Sequence, residues 1–186
     1  MSDPRTRRAF ALTIVVMAAV IVLAALVAGR AAVPGSPTFP PVGASTRPAG
    51  AAAAATLSVV EAALATEGLQ TEVVQSPYRP AEAARLAAAP RLVLRAVLAQ
   101  DPDHGRIVIY EFLTPNDATV AATEQAAYVA SGVGRVQFAT DTLFILRVVG
   151  STVVFYAWVP GNSPDPATSQ ISLALGTIGL EVVVPG

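Results

Sequence analysis

The sequence contains no cysteine and no lysine, and it has one histidine, His104. Without cysteine there are no disulfides, thiol nucleophiles, cysteine-linked lipids, c-type haem attachments or cysteine-ligated iron–sulfur clusters. Without lysine there is no Schiff-base lysine and no lysine of a phosphate-binding P-loop. We therefore predict that the chain is not an enzyme and holds no cofactor and no metal.

The residues that remain available for chemistry give only weak patterns. Asp101, Asp103 and His104 share one turn, but three residues of a tight, proline-containing turn do not easily all face one ion. We expect a solvated turn there. Serine hydrolysis is not expected, because the sequence has no Gly-x-Ser-x-Gly elbow. The glycines of 131–134 follow a predicted helix instead of a strand, so they predict a turn and not a phosphate loop.

Glu111 is the acid that most invites a functional interpretation, because it lies between two aromatic residues on a predicted strand. Arg95 or Arg147 is a possible partner, and we expect a structural salt bridge. An acid–base role is less favoured, because the sequence places no second carboxylate beside Glu111.

An unbroken run of 21 uncharged residues separates Arg8 from Arg30. As a helix, at about 1.5 Å per residue, it spans roughly 30 Å, the thickness of the hydrocarbon core of a bilayer. We predict a single transmembrane helix over residues 9–29. The arginines of residues 1–8 favour a cytoplasmic N-terminus and an extracytoplasmic location for the rest. A cleaved signal peptide is the alternative, although signal peptides usually have shorter apolar regions, of about 7–15 residues.

Small residues at helical spacing lie near the end of this apolar run. Ala25 and Gly29 form a small-xxx-small pair that allows another helix to approach closely. They are candidates for a helix–helix contact. Residues 30–50 are rich in proline and glycine, and such a composition predicts an extended tether. Residues 51–186 are expected to form one extracytoplasmic domain.

The net charge changes sign at the same boundary, between the first fifty residues and the rest of the chain. The first fifty residues carry a net charge near +4, whereas twelve acidic residues against seven arginines leave the remainder near −5. An acidic domain is a poor match for nucleic acid. We expect membrane contact through residues 9–29 and no nucleic-acid partner.

The domain shows the same order of elements twice, a β-hairpin followed by a helix. Apolar runs at 92–98 and 107–112 form the first hairpin, and those at 143–149 and 152–159 form the second. Helices are predicted from Thr114 and from Asp165. We predict an α+β fold, an antiparallel sheet built from two hairpin–helix units with helices on one face.

Both sides of the last long strand are apolar. An antiparallel strand with one wet face alternates apolar and polar residues, and residues 152–159 do not. Cover must come from the chain itself, a second copy or another protein. The candidate interface residues are Val154, Tyr156, Trp158, Tyr110 and Phe144. An apolar ligand pocket lined by Tyr110, Phe155, Tyr156 and Trp158 is the alternative.

From about Leu57 to Gly179 the chain resembles small bacterial envelope domains of unknown function. The residues that carry the resemblance are the strand 108–112, the alanine-rich helix after it, Phe144 and the Val-Val-Phe-Tyr strand after Gly150. Many of those domains look like lipoproteins, and many have a Pro-His pair where this chain has Asp141-Thr142. The resemblance implies an extracytoplasmic location and supplies no activity.

Together these observations predict an accessory or assembly subunit of a larger membrane complex, possibly a redox-silent subunit of an electron-transfer complex. Its partners would be other membrane-complex proteins or a second copy of the chain. The alternative is a tethered envelope module that binds a small apolar ligand or an envelope component.

Overall fold

The computed structural model describes residues 48–74 and 78–185 of this chain. They belong to one compact unit, Val42–Gly186. The predicted transmembrane helix, most of the linker and the contact predicted at Ala25 and Gly29 lie outside the described residues. Within the two described ranges, no helix has both the length and the apolar character needed to span a bilayer.

The described residues form five α-helices and six strands, and a short helix occupies Gly132–Arg135, where the sequence predicts a turn. The helices are α1 (Ala51–Thr66), α2 (Ala84–Ala88), α3 (Pro115–Ala130), α4 (Gly132–Arg135) and α5 (Thr168–Gly176), and a 3-10 turn covers Pro160–Asn162. The strands are β1 (Thr71–Val73), β2 (Arg91–Ala96), β3 (Arg106–Glu111), β4 (Leu143–Val149), β5 (Thr152–Trp158) and β6 (Leu180–Glu181).

The strands form one antiparallel sheet in the order β1-β2-β3-β5-β4-β6. The β2–β3 and β4–β5 pairs are the two predicted hairpins. Pairing of β3 with β5 joins the hairpins at the centre of the sheet, where Tyr110 lies opposite Val153. The prediction of an α+β fold with an antiparallel sheet of two hairpin–helix units is confirmed.

Helices cover both faces of the sheet, so the prediction of helices on one face was wrong. Helices α1 and α5 pack on one face, and α2 and α3 pack on the other. The physical reason lies in β5, whose residues from Thr152 to Tyr156 are all buried. A strand that is apolar on both sides is stable only when both sides are covered, and here the chain supplies both covers.

Each face has its own hydrophobic core. The core under α1 and α5 includes Val60, Leu64, Leu94, Ile107, Ile109, Val154, Tyr156, Ile171 and Leu175. The core under α2 and α3 includes Leu86, Val93, Val108, Tyr110, Ala118, Ala122, Val129, Leu146, Val153 and Phe155. Alanines dominate the buried stripe of α3, and their small side chains let that helix approach the large aromatic residues of β3 and β5 closely.

Candidate functional site

Three of the five candidate interface residues lie inside the cores. Tyr110 and Val154 are 0% exposed and Tyr156 is 1% exposed. Their covers are the chain's own helices, so these side chains are not available at the domain surface. Trp158 and Phe144 are partly exposed and lie at the margins of the two cores.

Tyr110 connects the sheet to the segment before α2. Its hydroxyl donates to Glu82 Oε1 at 2.6 Å, and Glu82 also pairs with Arg79 at 3.4 Å. Burial raises the pKa of Tyr110, and the adjacent Glu82 carboxylate raises it further. The phenol therefore stays protonated and acts as a fixed hydrogen-bond donor inside the fold.

Glu111 caps the first helix, and no arginine of the described residues forms a salt bridge with it. Its Oε2 accepts hydrogen bonds from the backbone N–H groups of Gly50, at 2.6 Å, and Ala53, at 3.2 Å. A carboxylate at this position pairs with the unsatisfied N–H groups and the positive end of the helix dipole. The salt bridges predicted for Glu111 were wrong, because Arg95 pairs with Glu72 and Arg147 pairs with Glu181.

The turn around His104 is tied to the loop before α5. Asp101 Oδ1 bonds His104 Nδ1, and Ser163 Oγ donates to Asp101 Oδ2 at 2.5 Å. Burial alone would raise the pKa of Asp101, but the hydrogen bonds from Ser163 and His104 lower it below its ordinary value. The serine bonds the carboxylate and not the imidazole, so this trio lacks the order that activates a serine nucleophile.

The edge of β4 is only half paired by β6. Strand β6 pairs with Arg147 and Val148, and the Val182 N–H adds one bond to the Leu146 carbonyl at 2.9 Å. Alternate residues of an antiparallel strand direct their main-chain groups to the same neighbour. The N–H and C=O of Phe144 therefore face this edge as well, and no strand in the described residues pairs with them there.

A cleft of about 640 Å³ lies beside this unpaired stretch, and we call it the edge cleft. It runs between the outer half of β4, Leu143–Leu146, and the chain after β6, 182–185. The register of β6 would bring Val184 opposite Phe144 if the pairing continued. Instead the pairing stops at the bond between Val182 and Leu146, and residues of both segments line the cleft.

Phe144 is held in place at the edge cleft by aromatic contacts. Its ring centre lies 4.9 Å from Phe138 in an edge-to-face arrangement and 6.3 Å from the nearly parallel ring of Phe155. The guanidinium carbon of Arg135 lies over the Phe144 ring, 5.4 Å from its centre. Such contacts add to the burial energy of an aromatic ring and restrict its motion, so the wall of the edge cleft is preorganised.

Arg147 closes the other end of the edge cleft. Its Nε donates to the Ile178 carbonyl at 2.8 Å, and its Nη2 donates to the Gly176 carbonyl. These carbonyls belong to the C-terminal end of α5, where a cation also complements the helix dipole. Sequence reasoning missed this role, because the carbonyls that Arg147 binds lie about thirty residues away along the chain.

A second, smaller cavity of about 360 Å³ lies next to Trp158, and we call it the Trp158 cavity. The start of β3, the end of β5 and the His104 turn form its walls. Its lining residues include Tyr78, His104, Arg106, Ala157, Trp158 and Thr168. It differs from the predicted apolar pocket, because Tyr110, Phe155 and Tyr156 are core residues and do not line it.

No protein-family model, curated protein or solved structure matches this chain. The functional interpretation therefore depends on the chain's own geometry. In the described ranges, no three potential metal-ligating side chains come together. Two cavities formed by the described residues, the edge cleft and the Trp158 cavity, have room for another molecule.

Proposed function

We propose that this chain is a non-enzymatic, single-pass membrane protein that serves as an accessory or assembly subunit of a larger membrane complex. Its extracytoplasmic domain docks on another subunit through the edge cleft. In an electron-transfer complex this subunit would be redox-silent, since it has no cysteine and only one histidine. The anchor is the apolar run of residues 9–29.

The observation that carries this proposal is the outer side of Phe144, where no strand of the described residues pairs with its main chain. An exposed strand edge offers a row of N–H and C=O groups to another strand. Natural domains bind extended peptides in this way, with main-chain bonds giving affinity and pockets for alternate side chains giving specificity. The face predicted for docking, at Val154 and Tyr156, is buried, so the edge of β4 replaces it.

The occupant that fits the edge cleft is an extended, mostly apolar segment of a partner subunit. Leu143, Phe144 and Ile145 provide three consecutive apolar residues along the edge. Across the cleft, Val182 and Val184 pack against the core under α3, which leaves Val183 exposed. An inserted strand would pair with Phe144 and bury Leu143, which is half exposed in the isolated chain.

Extraction from the native membrane in mild detergent, followed by native gel separation and mass spectrometry, tests this function. We expect the chain to migrate in a large complex with fixed stoichiometry. Migration as a monomer or a small homo-oligomer would contradict the proposal. Cross-linking mass spectrometry of the same sample would then report whether the edge cleft or another surface faces the neighbouring subunit.

A second candidate function is a tethered module that binds a small ligand, and the Trp158 cavity favours it. The cavity volume of about 360 Å³ lies at the lower end of the range for small-molecule sites. This candidate predicts saturable ligand binding by the purified chain with no partner present. Docking at the edge cleft makes no such prediction, so the two candidates are separable.

A further inference from the structure

We infer that the Trp158 cavity is a binding site for a small organic anion, a carboxylate or a phosphate ester, that carries a flat apolar group. This inference specifies the ligand class of the second candidate function and is independent of docking at the edge cleft. It replaces the purely apolar ligand that the sequence predicts. Arg106 would hold the anionic group, and the flat part would occupy the rest of the cavity, which Tyr78 and Trp158 also line.

The first argument is the unmatched charge of Arg106. Arg106 lies directly opposite Arg95 in the β2–β3 ladder, and like charges in such a position repel. Glu72 pairs with Arg95 at 2.6 Å, whereas no carboxylate of the described residues lies within ion-pair distance of Arg106. An anion in the cavity would balance this second arginine.

The second argument is the geometry that holds the guanidinium. Its central carbon lies over the Tyr78 ring, 5.1 Å from the ring centre, and this cation–π contact restrains the guanidinium. A planar guanidinium binds carboxylate or phosphate through two parallel hydrogen bonds. Burial raises the pKa of Tyr78, although the charge of Arg106 opposes this. The phenol therefore stays neutral and does not compete for the guanidinium.

The third argument is a set of donors without acceptors. Arg106 Nε and Trp158 Nε1 are both buried and have no hydrogen-bond partner in the described residues, and both residues line the cavity. Buried donors usually have an acceptor, so unpaired ones call for an explanation. A small rotation of either side chain toward a bound oxyanion would satisfy its donor.

Other polar groups around the Trp158 cavity change its electrostatic potential but do not reverse its preference for an anion. His104 lines the cavity, and its Nδ1 bonds Asp101, so its Nε2 is available to a ligand. Asp103 also lies at the rim and would repel an anion, but its side chain is exposed and screened by solvent. The negative charge of the whole domain acts over longer distances and is screened more strongly at physiological salt.

The chain reports on this site directly, because Trp158 is its only tryptophan. The test is a fluorescence titration of the full chain in nonionic detergent with benzoate, with phenyl phosphate and with neutral benzamide. We expect the two anions to change the Trp158 emission in a saturable manner and benzamide to bind at least about tenfold more weakly, since hydrogen bonds to charged groups are the stronger ones.

Two arginine variants distinguish anion binding in the Trp158 cavity from general effects of removing a positive charge. Arg106→Gln is expected to weaken benzoate binding by about tenfold through loss of the charged fork. Arg85→Gln is the matched control, because Arg85 is an exposed arginine that pairs with Glu124 outside the cavity, and we expect no change. If Arg106→Gln fails to fold, the comparison of benzoate with benzamide still decides the question in the unaltered chain.

Each alternative outcome has a distinct meaning. Equal binding of benzamide and benzoate would contradict the anion assignment and leave a neutral ligand site. Absence of a saturable response to all three compounds would contradict both this inference and the second candidate function. Neither result bears on the edge cleft, whose test is the migration of the chain in a membrane complex.

Discussion

The two edges of the sheet differ in how the chain treats their unpaired main-chain groups. At one edge β1 is three residues long, and an exposed glutamate, Glu72, pairs with Arg95 of the next strand. At the other edge β6 is two residues long, and no strand of the described residues pairs with Phe144 on that side. Short strands and charges are the usual means by which soluble domains prevent edge-to-edge association. The β1 edge has both, whereas the outer half of β4 borders a cleft whose lining is part apolar and part polar.

This difference teaches that an apolar strand does not by itself identify an interface. Strand β5, which is apolar on both sides, lies at the centre and is covered on both faces by helices of the same chain. The outer half of β4 is apolar as well, but it lies near the sheet edge, where Leu143 is half exposed. Accessibility of unpaired backbone is therefore a better guide to docking here than hydrophobicity.

The largest expected effect on the free energy of unfolding comes from substituting glycines, and we compare the two glycines that precede the edge strands. Gly68 lies before β1 and Gly179 before β6, and both have positive φ, at 77° and 53°. A Cβ at Gly68 would meet nothing within 4 Å, whereas one at Gly179 would overlap the Val148 carbonyl oxygen. We expect Gly179→Ala to reduce the free energy of unfolding by at least about 3 kcal/mol and Gly68→Ala by about 1 kcal/mol.

Urea denaturation of the full chain in nonionic detergent, followed by Trp158 fluorescence, measures both glycine variants. Equal losses of unfolding free energy in the two variants would mean that backbone strain alone determines how much each substitution destabilises the chain. They would contradict the tight packing of the Gly179 turn against β4.

The second comparison is between the arginines at the two edges. The Arg147 side chain is 10% exposed and donates to the end of α5, whereas the Arg95 side chain is 24% exposed and pairs with a solvated glutamate. We expect Arg147→Met to reduce the free energy of unfolding by about 2 kcal/mol, because it leaves the carbonyl of the buried Ile178 unsatisfied. Arg95→Met should cost less than about 1 kcal/mol, as for other partly exposed ion pairs. A larger loss from Arg95→Met in urea denaturation would reverse the comparison.

The third comparison concerns docking. Leu143 and Val73 are exposed to nearly the same extent, 50% and 48%, at opposite edges. Lysine on an edge strand opposes strand addition. We expect Leu143→Lys to reduce recovery of the chain with its membrane complex by about tenfold, since burying an unpaired charge is costly. Val73→Lys is the matched control and should be recovered normally. Retention of Leu143→Lys in the complex would argue against docking at this edge.

The smallest expected effect on the free energy of unfolding concerns the turn between β2 and β3. The pH dependence of this effect is the background against which the stabilities of the edge variants are compared. The lowered pKa of Asp101 contributes stability above the ordinary aspartate pKa of about 3.9, and this contribution is lost as pH falls through the folded-state pKa. We expect Asp101→Asn to destabilise the chain modestly at neutral pH and to flatten the acid limb of its stability curve. An unchanged acid limb would contradict the role given to Ser163 and His104.

The sequence predicted the strands and helices well because its local signals agree with the fold. Thr114 caps α3 by accepting from the Asp117 N–H at 3.1 Å, with Pro115 at the first helical position. The turn at Gly150-Ser151 separates β4 from β5. Such signals act between residues close in sequence, where spacing alone is informative.

Contacts between distant residues were not predictable in the same way. The cap that Glu111 provides for α1 links groups about sixty residues apart, and the edge cleft depends on where the chain after β6 leaves β4. The doubly apolar pattern of β5 correctly indicated that both faces are covered, but no local signal assigned α1 and α5 to one of those faces. Phe144 was selected from the sequence for its apolar side chain, whereas its importance in the structure comes from its main chain.

Site-specific photo-cross-linking in intact native membranes tests the central claim most directly. A benzophenone amino acid would replace Leu143 at the β4 edge or Val73 at the β1 edge, in otherwise unchanged full-length chains. The account predicts that position 143 forms an adduct with one other subunit of the membrane complex and that position 73 forms none. An intact complex without an adduct at position 143, or equal adducts at both positions, would contradict docking through the edge of β4.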